Sequence, residues 1–136
     1  MNRYFKDKTV YAVDFDGTLC EEKFPKIGPQ RLETVKLVQA IQEAGNPWIL
    51  WTLREGPLLK EALSWLAERG LKPDAVNDNL PELKAMYGNN PRKVAADYYI
   101  DDRSLITWED KMKIYDAAQS AFLDTLQDIV RDVCRS

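Results

Sequence analysis

The sequence contains no histidine. That removes Ser-His-Asp and Cys-His catalysis, His-ligated zinc and imidazole proton shuttling together. Cysteine is nearly as scarce, with only Cys20 and Cys134 present. Two thiols so far apart make neither a zinc cluster nor a disulfide framework. No apolar run approaches the ~20 residues of a membrane-spanning helix. The opening residues, Met1 to Lys8, are charged and polar rather than signal-like. The expectation is a cytoplasmic protein with reduced thiols and no membrane segment. An excess of positive charge is missing too: 19 Lys and Arg stand against 22 Asp and Glu, a net charge of −3. Nothing here is the basic footprint of a nucleic-acid binder. The acidic balance also opposes a phosphorylated ligand at long range, so any phosphate site must be built locally.

What is present is one domain's worth of chain. The 136 residues are 45% hydrophobic and 30% charged, enough to bury a core without disulfides. No repeat, low-complexity tract or Gly/Ser linker divides residues 1–136. Short apolar runs at Thr9 to Phe15 and Trp48 to Trp51 predict buried strands. Asp74 to Val76 and Ala95 to Ile100 predict two more. Gly17, Pro25, Gly28 and Pro29 mark a loop after the first strand. Apolar residues at helical spacing predict a helix over 31–44, stopped by Gly45-Asn46-Pro47. Pro57 suits the first turn of a second helix, which runs to Arg69 before Gly70. Leu80 to Tyr87 is a short helix or turn. Strands alternating with helices imply a parallel sheet covered on both faces, with ligands at the carboxyl ends of its strands.

The carboxyl ends are where the acids fall. The first strand ends in Asp14-Phe15-Asp16-Gly17-Thr18-Leu19. Residues i and i+2 of a strand leave the same side, so Asp14 and Asp16 converge, and Gly17 permits an abrupt turn. The fourth strand ends in Asp101-Asp102. Like charges ~4 Å apart repel by roughly 4 kcal/mol at an effective dielectric of ~20. Such a cluster needs a cation or altered protonation. With oxygen ligands alone, a hard divalent ion that keeps several waters fits best, which is magnesium.

The residues from Val10 to Leu19 resemble the first motif of the haloacid dehalogenase-like (HAD) superfamily, a hydrophobic strand followed by D-x-D-G-T. Trp48 to Thr52 is similar to its second motif, a strand ending in Thr or Ser, and Tyr98 to Asp102 to its acidic fourth motif. The resemblance implies a HAD-like Rossmannoid three-layer α/β sandwich and a phosphohydrolase that forms an aspartyl-phosphate. It implies Asp14 as the nucleophile and Asp16 as the acid and base. Magnesium would be held by Asp14, the Asp16 backbone carbonyl, Asp101 and Asp102, and Thr52 would hydrogen-bond a phosphoryl oxygen. The motif lysine is Lys93 or Lys84, with Lys93 preferred. Between Leu19 and Arg31 there is room only for a small flap, so no cap domain is expected.

Three residues near that edge are read without the family's help. Arg54 could bind a substrate phosphate or carboxylate through its planar fork. Asn77 suits a turn. Cys20, with no base to activate it, is expected to pack. From Trp108 onward, apolar residues at helical-seam spacing predict a long helix over about 107–133. Its second half is expected to pair with another copy as a homodimer. Against the leading expectation of a phosphorylated small-molecule substrate stand three others. They are a phosphotransferase, a receiver-like signalling domain, and a non-catalytic phosphate-binding module.

Overall fold

The computed structural model describes residues 3–104 and 130–133. The chain divides into a unit Met1–Asp102 and a unit Arg103–Ser136. In the second unit residues 130–133 are helical. The rest of the expected tail helix, and the homodimer placed on it, lie outside the described residues. Among the described residues no helix is long and apolar enough to cross a membrane.

The first unit runs β1 (Tyr11–Asp14), β2 (Cys20–Lys23), β3 (Lys26–Gln30), α1 (Leu32–Glu43), β4 (Trp48–Trp51), α2 (Gly56–Glu68), β5 (Ala75–Val76), α3 (Pro81–Tyr87) and β6 (Tyr98–Ile100). Four strands form one parallel sheet in the order β5-β4-β1-β6. Its interior strands are apolar on both faces because both faces are covered. Val13, Trp48 and Leu50 pack with Val35, Val38 and Ile41 of α1 and Ala62 and Leu66 of α2. Val10, Ala12 and Ile49 pack on the other face with Leu83 of α3 and with Leu80 and Val94. Successive right-handed crossovers in one direction put α1 and α2 on the same face. The crossover that returns from β5 to β6 puts α3 on the opposite one.

The amino-terminal edge of the sheet is closed by side chains. Asp97 accepts from the Val10 N–H (2.7 Å), Asp74 from the Trp48 N–H (2.9 Å) and Asn46 from the Thr9 N–H (2.9 Å). These side chains satisfy backbone donors where the strands begin. Gln42 ties the layers together, accepting from Trp48 Nε1 and from the Lys72 N–H and donating to the Gly70 carbonyl.

Two expectations need correction. The segment read as loop after β1 contains an antiparallel hairpin, β2 with β3. Most of its side chains are exposed, so it carries no apolar alternation to reveal it. The last strand begins at Tyr98 rather than Ala95. The Ala95 N–H donates to Asn79 Oδ1 instead of a strand, and Val94 and Ala96 are buried beside α3.

Candidate active site

β1, β4 and β6 all end at the same edge, and β1 lies between the other two. One carboxylate oxygen from each of Asp14, Asp101 and Asp102 lies within 4.8 Å of the others. The turn after β1 makes this approach feasible. Gly17 has φ +87, and a Cβ on it would stand 2.7 Å from Asp102 Cγ, so both conformation and space demand glycine there. Thr18, itself buried, donates its hydroxyl to Asp14 Oδ2 (2.8 Å) and accepts from the Asp102 N–H (3.0 Å). It therefore fixes two of the three acids relative to each other. The D-x-D-G-T motif contains Thr18, but its bridge to Asp102 spans 84 residues and has no local signal.

Burial and crowding act on Asp14. Desolvation raises its pKa most, and Asp101 and Asp102 raise it further against the Thr18 hydrogen bond, to about 7. The three-carboxylate, oxygen-only donor set fits a hard divalent cation, which would relieve this repulsion. Asp16 meets a different environment. Arg54 Nε donates to its Oδ2 and Nη2 to its Oδ1, both at 2.8 Å. The Arg54 side chain is fully buried and that of Asp16 only 14% exposed. The guanidinium lies between the Phe15 and Phe24 rings, 5.2 Å from each, and also donates to the Lys26 carbonyl. Asp16 holds it firmly charged. Arg54, expected to grip a ligand, thus grips the chain's own carboxylate and fastens the hairpin over it. The Asp16 carboxylate lies outside the three-acid group, so only its backbone carbonyl remains in the expected magnesium set.

A pocket of about 400 Å³ opens beside Asp14, lined by Trp51, Thr52, Leu53, Asn77 and Asp101 as well. Thr52 Oγ1 accepts from the Arg54 N–H (3.1 Å). Asn77, at φ 50, shapes the turn as expected and clamps Thr52 with both ends of its amide, each at 2.8 Å. The two lysines have other partners. Lys84 pairs with Asp78 at 2.8 Å, which holds that carboxyl below its usual range, and Lys93 lies over the Tyr99 ring at 5.6 Å. Cys20 is buried, and burial pushes its thiol pKa up, as expected of a packing residue.

Two stability predictions follow from these environments. In metal-free protein, unfolded chains lose the Asp14 proton at lower pH than folded ones, so stability falls as pH rises from about 4 to about 7 and then levels. Asp14→Asn removes that slope. At pH 8 in chelator it should raise stability by about 1–2 kcal/mol, a range reduced because Asp14 is partly solvated. Urea titrations at pH 4 and pH 8 check it, and an equal loss at both would contradict it. Arg54→Met strands the Asp16 carboxylate and should cost about 3–5 kcal/mol. Arg54→Met with Asp16→Leu should recover much of that, and a double variant no better than the single one would refute the pairing.

No protein-family model and no curated protein matches the sequence. A solved structure of a conserved protein coded by a locus of Bacteroides thetaiotaomicron is similar to it. The TM-score is 0.64 and the identity 34%, over 83% of this chain and 93% of that one. Such identity, across nearly all of the second chain, means that this protein belongs to the same family as the conserved Bacteroides thetaiotaomicron protein.

Proposed function

We propose that the protein is a magnesium-dependent phosphohydrolase of the HAD type that cleaves a phosphomonoester through an aspartyl-phosphate on Asp14. The observation that carries this reading is the convergence of Asp14, Asp101 and Asp102, one carboxylate oxygen of each within 4.8 Å of the others, with Asp14 and Asp101 lining a pocket. Acids at the other edge of the sheet accept from backbone N–H groups, and these three, with Thr18 donating to Asp14, also crowd one another. Crowding of that kind costs free energy unless something cationic is bound.

In this mechanism an Asp14 oxygen attacks phosphorus as the bond to the leaving oxygen breaks. The leaving oxygen takes a proton from Asp16. Water then attacks the phosphoryl group, giving its proton to Asp16, and the Asp14–phosphorus linkage breaks to release phosphate. Both Asp16 oxygens are ion-paired in the resting arrangement, so Asp16 must turn away from Arg54 and take up a proton from solvent before it can act as the acid. Thr52, whose Oγ1 accepts from the Arg54 N–H, offers its hydroxyl proton to a phosphoryl oxygen. Asp14, Asp101 and Asp102, with the Asp16 backbone carbonyl, are the groups that would hold magnesium, whose charge when bound offsets that of the carboxylates and the phosphoryl group. A lysine completes the neutralisation. This reading assigns that role to Lys93, which lies over the Tyr99 ring, with Lys84, ion-paired to Asp78, as the alternative.

Phosphate release from an aryl phosphate should require magnesium and disappear in excess chelator. Asp14→Asn should lower turnover by on the order of a hundredfold or more while the protein stays folded. Turnover that persists in chelator, or in deamidation-free Asp14→Asn, would defeat the proposal. Lys93→Ala should lower turnover strongly and Lys84→Ala weakly. The reverse order would transfer the role to Lys84.

A further inference from the structure

The rim of the pocket has a chemistry that the phosphoryl site does not need. Asp14 is opposite Trp51 in the parallel register, so both side chains leave the same face on neighbouring strands, about 4.8 Å apart. The other residues of β4, Trp48, Ile49 and Leu50, are fully buried, but Trp51 is 36% exposed. Two residues on, Leu53 is 98% exposed. Both line the pocket that holds Asp14 and Asp101. One exposed apolar residue means little, but here two flank Thr52 in a single concave site of ligand size.

The polar lining offers a leaving group little. The Asn77 amide is committed at both ends to the Thr52 backbone. None of the six lining residues is basic, and two are acids. A second anionic group on the substrate would find no cationic side chain among these six. A bare sugar would exchange hydrogen bonds with water for indole and leucine surface. A flat aromatic ring instead meets a partly exposed indole and an apolar side chain, and stacking needs no hydrogen-bond partner. Building on the phosphohydrolase reading, we propose that Trp51 and Leu53 select monophosphate esters whose alcohol carries a flat aromatic body. They do so by contact rather than by hydrogen bonding.

A nucleoside 5′-monophosphate and ribose 5-phosphate test this cleanly. They share the same leaving oxygen, so intrinsic reactivity is matched and only the aromatic base differs. With saturating magnesium, kcat/KM should favour the nucleoside monophosphate by at least about tenfold, mostly through KM. Trp51→Ala should bring the two substrates to within about threefold, and Trp51→Phe should keep most of the preference. Leu53→Ser is the second variant, since so exposed a residue can change without unfolding the chain. It should lower the preference and weaken calorimetric binding of the nucleoside monophosphate to Asp14→Asn protein. Equal use of both substrates by the wild type, or a preference that survives Trp51→Ala and Leu53→Ser, would overturn the aromatic selection and leave the phosphohydrolase standing. Failure to hydrolyse either of these or any aryl phosphate with magnesium present would overturn both.

Discussion

The site depends on keeping three like charges close together. Asp14, Asp101 and Asp102 come from the ends of neighbouring strands and would separate if the backbone allowed it. The turn at Gly17 and the double hydrogen bond of Thr18 prevent that. Crowding of this sort is found where a ligand or a reaction repays it; burial first, and the neighbouring acids second, leave Asp14 holding its proton above the ordinary carboxyl range. The rest of the domain serves as the rigid frame. β1 is an interior strand, covered on both faces by a close-packed core, so its end cannot drift to relieve the repulsion.

Two aspartates only two positions apart meet opposite electrostatics. Asp14 has acids and a hydroxyl for neighbours, while Asp16 has a buried guanidinium. That guanidinium sits between Phe15 and Phe24, so the hairpin, Asp16 and the loop after β4 form one connected unit. Among the described residues this hairpin is the one insertion at the carboxyl edge of the sheet, and Arg54 couples it directly to Asp16. Differences of this kind between paired carboxyl groups are what separates acid and nucleophile roles in many enzymes.

Much of this was legible in the sequence, for reasons that can be traced. β1 and β4 are buried on both faces and so read as unbroken apolar runs, and α1 and α2 carry clear helical spacing with Gly and Pro at their ends. The acids at the strand ends followed from the rule that parallel sheets bind ligands at their carboxyl edge. The β2–β3 hairpin was hidden because cross-strand hydrogen bonds, not an apolar face, hold it together. The partnership of Arg54 with Asp16 spans 38 residues. The sequence suggested that Arg54's fork would bind a phosphate or carboxylate of a substrate, not a carboxylate of the same chain. Thr18 stood inside a recognised motif, yet its link to Asp102 exists only once the sheet is assembled.

The central claim is that Asp14 becomes covalently phosphorylated during turnover. Acid quenching of steady-state reactions, followed by borohydride reduction, converts an aspartyl-phosphate to homoserine, which peptide mass spectrometry can locate. The account predicts homoserine at position 14, present only when magnesium and a hydrolysable phosphate ester are both supplied. Homoserine at position 16, 101 or 102 would contradict it, as would steady turnover with no modified residue.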